Sequence, residues 1–224
     1  MIFVKSSNSW HDSNKVSKQR VAGSREIWFW VLLLGSWMML NSPAWPNQML
    51  GGLGSVGFLA FAFRNLGKLC GMGMDFADWK PAAVRFWWVA AGLGAVTGCV
   101  GLSLAGLARQ RIRVAENWRV ALLQVALGPV LEEILFRGYV LRLLLWSLKG
   151  LRPPWVTSVT AIMVSAAAFG AIHLLRPGTA AVTVAVIGGV GIVYGYIRMA
   201  SRSTATAAVA HAVYNVTLYL GMAL

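Results

Sequence analysis

Beyond residue 26 the chain alternates long uncharged apolar runs with short basic connectors. A helix needs roughly 20 apolar residues to cross ~30 Å of hydrocarbon, and most of these runs reach that length. The pattern predicts an all-α, polytopic transmembrane helical bundle with seven membrane segments, at about 27–42, 46–63, 86–108, 118–148, 155–175, 179–197 and 204–224. The fourth is too long for one straight span and contains Gly128-Pro129. Proline removes an amide donor and crowds the carbonyl four residues back, so a kink is expected there. The second half would then leave the membrane or run along its surface.

Composition sharpens this reading. Of 224 residues, 58% are apolar and only 12% charged, about half the roughly 25% of a soluble domain. Disorder is excluded and a soluble fold is disfavoured. The 20 Lys and Arg against 7 Asp and Glu give +13, which in a soluble protein would suggest nucleic acid. Here the basic residues lie almost entirely between apolar segments, where they fix topology and meet anionic head groups. No nucleic-acid partner is implied; the lipid bilayer is.

Residues 1–26 form a polar tail with Lys5, Lys15, Lys18, Arg20 and Arg25. A cleavable signal peptide is disfavoured, because nothing like an A-x-A site precedes Asn41-Ser-Pro. Basic residues concentrate in that tail and in 64–85, 138–152 and 198–202, which places the N-terminus in the cytoplasm. Arg109, Arg111, Arg113 and Arg119 run against that count. Trp28, Trp30, Trp45, Trp87, Trp88, Trp118 and Trp155 sit near segment ends, as head-group anchors do. Gly94-xxx-Gly98 and Gly191-xxx-Gly195 read as close helix contacts without chemistry. Cys70 and Cys99 have no CxxC partner, so neither a zinc finger nor a disulfide framework is indicated.

The candidate chemistry lies in the few polar outliers. Asp12, Glu26, Asp75, Asp78 and Glu116 are in the tail or connectors, but Glu132-Glu133 interrupt an apolar run. An ionisable group at that depth costs at least ~2.5 kcal/mol to insert and usually faces a polar interior. Arg137 follows Glu133 by four residues on the same helical face, so the two can form a buried pair that merely locks the helix. Glu132 points ~100° away, and one arginine cannot easily neutralise both carboxylates. His173 and His211 stand in the fifth and seventh segments; Phe169 precedes the first by four residues and Asn215 follows the second by four. A lone such residue is more often an interhelical hydrogen bond. Three in separate helices that must all avoid lipid tend to share one cavity, and they amount to an acid/base and oxyanion inventory. Zinc held by Glu132, His173 and His211 is the rival mechanism, although no HExxH is present. Serine-triad catalysis is disfavoured by the lack of a GxSxG elbow.

The spacings Glu132-Glu133-xxx-Arg137, Phe169-xxx-His173 and His211-xxx-Asn215, with Pro129 before them and Phe136-Arg137-Gly138 inside, resemble one family. It is the CAAX prenyl protease 2 and bacteriocin-processing (CPBP, or Abi) family of intramembrane proteases. The resemblance covers residues 115–224, a protease-like core, and leaves 27–114 as variable N-terminal membrane segments. It implies a multi-pass protein of a bacterial inner (plasma) membrane that hydrolyses a peptide bond in a membrane-anchored protein or peptide, without a cofactor. By that likeness Glu132 activates water with His173, His211 and Asn215 stabilise the oxyanion, and Glu133, Arg137 and Phe169 are structural. The alternative is a non-catalytic scaffold, immunity protein or proton or solute pathway built on the same cluster. Against a transporter, only one Gly-Pro break is evident and the halves do not resemble each other.

Overall fold

The computed structural model describes residues 82–107, 121–175 and 180–223, together with isolated positions between 35 and 79. The expected segments 27–42 and 46–63, the tail and the Arg109–Arg119 stretch therefore lie outside the described residues, apart from those isolated positions. Among the described residues the structure is all-helical, with no strand. It comprises α1 (Val84–Leu107), α2 (Gly128–Glu133), α3 (Leu141–Ser147), α4 (Pro154–Ile172), α5 (Ala181–Ser201) and α6 (Thr204–Ala223). Two π-helical stretches, Leu123–Leu127 and Ile134–Val140, flank α2, and a 3₁₀ turn, His173–Leu175, follows α4.

Three of these helices, α1, α4 and α5, are long and apolar enough to cross a membrane, with mean hydropathies of 1.7, 1.7 and 1.6. The seven-segment expectation is thus met only in part. α6 falls outside that set because Thr204, Thr206, His211, Asn215 and Thr217 lower its hydropathy. α1 packs most extensively along α6, and α4 along α5. A Cβ on Gly94 would run into the Ala210 carbonyl, and one on Gly98 would lie 2.6 Å from Thr217 Cβ, so bare carbons set the α1–α6 spacing. Thr97 and Ser103 sit on α1 with their hydroxyls bonded to the carbonyls of Leu93 and Cys99 one turn back, at 2.7 and 3.0 Å.

The Gly128-Pro129 step is a change of winding within a continuous helical path. Leu127, Ile134 and Val140 all keep right-handed helical torsions. The wider π winding just before Pro129 gives its ring room beside the preceding turn and absorbs the missing amide donor. Pro154 opens α4 in the first helical turn, where no amide is needed. Thr157 Oγ1 donates to Leu148 O at 3.0 Å and so ties α4 to the end of α3. α5 runs four residues past the expected 197, because Arg198 is buried rather than set in a connector. Arg202, with φ 55°, turns the chain into α6.

Candidate active site

The segment Leu131–Tyr139 is buried at every position, its two glutamates and its arginine included. Glu133 and Arg137 are both 0% exposed. Arg137 Nη1 donates to Glu133 Oε1 at 2.8 Å and Nη2 to Gly191 O on α5 at 2.9 Å. A guanidinium offers planar paired donors, which suits one carboxylate and one carbonyl together. Its carbon lies 4.3 Å from the Phe169 ring centroid and 5.3 Å from that of Tyr194. A Cβ on Gly191 would sit 3.0 Å from Arg137 Nη2 and 3.2 Å from Phe169, tighter than ordinary contact, so the bare carbon lets both approach without displacement.

α6 brings His211 onto the two carboxylates. Its Nδ1 lies 3.0 Å from Glu133 Oε1 and its Nε2 3.8 Å from Glu132 Oε2. A carboxylate paired with arginine only accepts, so Nδ1 carries the proton in the shorter contact and Nε2 is turned toward Glu132. Glu133 therefore links Arg137 to His211 as well as bracing the helix. The face of the His211 ring stacks on Tyr194, with centroids 5.0 Å apart and planes at 25°.

His173 begins the 3₁₀ turn after α4. Its Nδ1 lies 2.8 Å from Phe169 O, and since a carbonyl only accepts, Nδ1 is the donor in that contact. The Phe169 ring meets His173 edge-on at 5.1 Å and His211 at 5.7 Å, joining the two histidines through one aromatic wall. Asn215, half-buried, lies one turn beyond His211 on α6. The structure thus brings Glu132, Glu133, Arg137, Phe169 and His211 into one cluster and sets His173 against its Phe169 edge.

Several participants escape a reading of the sequence alone. Tyr194 and Gly191 belong to a glycine-rich stripe that reads as packing, yet one stacks on His211 and the other accepts from Arg137. Gly191 and Gly195 do approach α4 closely, at Ala166, Phe169 and Ile162, as the Gly-xxx-Gly spacing leads one to expect. Among the described residues, Glu133 Oε2 and the Tyr194 hydroxyl are buried with no hydrogen-bond partner. Buried polar atoms are rarely left so, and these two lie beside the candidate site.

For zinc, no three His, Cys, Asp or Glu side chains among the described residues are grouped as a ligand set. His211 Nδ1 is already engaged by Glu133. Residues 114–217 match the family model described as Type II CAAX prenyl endopeptidase Rce1-like. No curated protein and no solved structure matches the chain.

Proposed function

Because residues 114–217 fall in the Rce1-like family, a family of membrane proteases, we propose that the chain is an intramembrane endopeptidase using glutamate-activated water. Its substrate is a membrane-anchored protein or peptide, cut near one end of the anchor. The observation that carries this reading is the His211 ring set between two buried carboxylates, with Nδ1 3.0 Å from Glu133 Oε1 and Nε2 3.8 Å from Glu132 Oε2. Glu132 is then the base. It takes a proton from water as the water oxygen attacks the scissile carbonyl carbon, and His173, through its second nitrogen, orients that water. His211 Nε2 and Asn215 donate to the developing oxyanion, which for His211 requires a doubly protonated ring. Collapse breaks the C–N bond, and the proton held by Glu132 passes to the leaving amine. Glu133 and Arg137 hold His211 and the helix in place.

The test reconstitutes the full chain in liposomes with fluorogenic peptides carrying either a prenylated C-terminus or a transmembrane tail. Glu132→Gln preserves size but removes the basic oxygen, so cleavage should fall by ~10² to 10⁴ while expression stays parental. Full cleavage by that variant would move the base to Glu133. Activity abolished by a chelator and restored by zinc would move Glu132, His173 and His211 into a metal shell. A parent protein that cleaves neither peptide class would favour a scaffold.

A further inference from the structure

Two buried side chains on helices that supply no reacting group converge on the backbone beside the site. Arg198 on α5 is only 7% exposed, and its Nε donates to Arg137 O at 3.2 Å, across 61 positions of sequence. Ser165 on α4, also buried, donates to Phe136 O at 3.2 Å. The two acceptors are consecutive carbonyls, and both lie in the π-helical stretch Ile134–Val140. A charged side chain buried to this degree needs strong partners to offset its desolvation, so its placement calls for an explanation.

The winding supplies one. In a π turn each amide bonds the carbonyl five residues back, and in an α turn four. Leu141 N–H bonds Phe136 O, five back, and α winding resumes at Leu141 as α3 begins. A hand-over from π to α passes over one carbonyl, which must find a donor elsewhere. Arg137 O, at that hand-over, takes Arg198 Nε. The two windings also differ in rotation per residue, so the position of the hand-over sets the direction of side chains upstream relative to α6. Those side chains are Glu132 and Glu133, which meet His211.

We propose that Ser165 and Arg198 are positioning residues of the candidate reaction, holding through the Phe136 and Arg137 carbonyls the winding that sets Glu132 against His211. The inference rests on the endopeptidase reading for its rate consequences only. Arg198→Met keeps the apolar stem and removes the donor. In the reconstituted full chain its kcat should fall about tenfold to a hundredfold, the scale of a small misplacement of catalytic groups. KM should stay within about twofold, since uniform binding is untouched. Hydrogen exchange over 134–142 should quicken by about tenfold or more while α1 and α6 exchange at parental rates. Ser165→Ala should act in the same direction, with Ser165→Thr restoring kcat, and this pair carries the test if Arg198→Met does not fold. Parental kcat and parental exchange would overturn the proposal, as would faster exchange in every helix with kcat and KM moving together. Should the parent cleave no probe, the endopeptidase reading falls, whereas the exchange measurement still decides whether the two donors hold the winding.

Discussion

α1 and the Leu131–Tyr139 segment distribute polarity in opposite ways. Along α1 the small residues Ala90, Gly94, Gly98 and Gly101 are buried, while Trp88, Val89, Val96 and Val100 face outward. That inverts a soluble helix and suits one whose surroundings are as apolar as its side chains, where close packing of small residues replaces the hydrophobic effect. In Leu131–Tyr139 nothing faces outward, and two carboxylates and a guanidinium are enclosed by aromatic rings and other helices. The first region is interchangeable in chemistry and exacting in shape on one face. The second is exacting in chemistry throughout.

The contrast breaks most sharply at Arg137. Arg137→Ala strands Glu133 and leaves Gly191 O without its donor, and losing one member of a buried pair typically costs ~3 to 5 kcal/mol. Folded yield in size-exclusion chromatography should collapse. A variant that purifies like the parent but is inactive would place Arg137 in the chemistry instead. The reciprocal change moves a charge to the outer face of α1 at its middle. Val96 is 59% exposed, and Val96→Arg should cost ~2.5 to 3.5 kcal/mol of insertion if that face meets lipid. Unchanged membrane insertion in a glycosylation-reporter assay would contradict the lipid-facing assignment. The smallest effect is expected at Gly94→Val, whose side chain meets the Ala210 carbonyl. Overpacking of this kind costs about 1 to 3 kcal/mol, so the thermal midpoint should fall with kcat/KM of the surviving fold unchanged. Loss of activity without loss of stability would mean that α1 shapes the site.

The same contrast explains what the sequence makes legible. Glu132, Glu133, His173 and His211 stand out because each is a costly exception in an apolar run. Arg137 joins Glu133 by the four-residue period alone, and the observed 2.8 Å contact shows that pair. Arg198 is hidden because it follows an apolar run and precedes Arg202, so it reads as a topology-fixing connector charge. Buried, it donates to the Arg137 carbonyl, a partner no local pattern reveals. Tyr194 is hidden for a different reason, since an aromatic among glycines signals packing and its stack on His211 is a long-range contact. The π winding around α2 has no compositional signature, and Gly128-Pro129 marks only that the regular ladder must yield nearby. The expected boundaries of 155–175 and 204–224 lie within a few residues of the observed helices, because Pro154 and the Arg202-Ser203 turn punctuate the chain unmistakably.

The bare carbon at Gly191 also limits how this site can drift over evolutionary time. Two residues earlier on the same helix, Gly189 has nothing within 4 Å of where a Cβ would go. A lineage can add a side chain there in a single step. At 191 the first atom added meets Arg137 Nη2 and Phe169 together, and with them the arms that reach Glu133, His173 and His211. A change at 191 is therefore coupled to side chains on two other segments, which must give by a few tenths of an ångström, whereas a change at 189 is made alone.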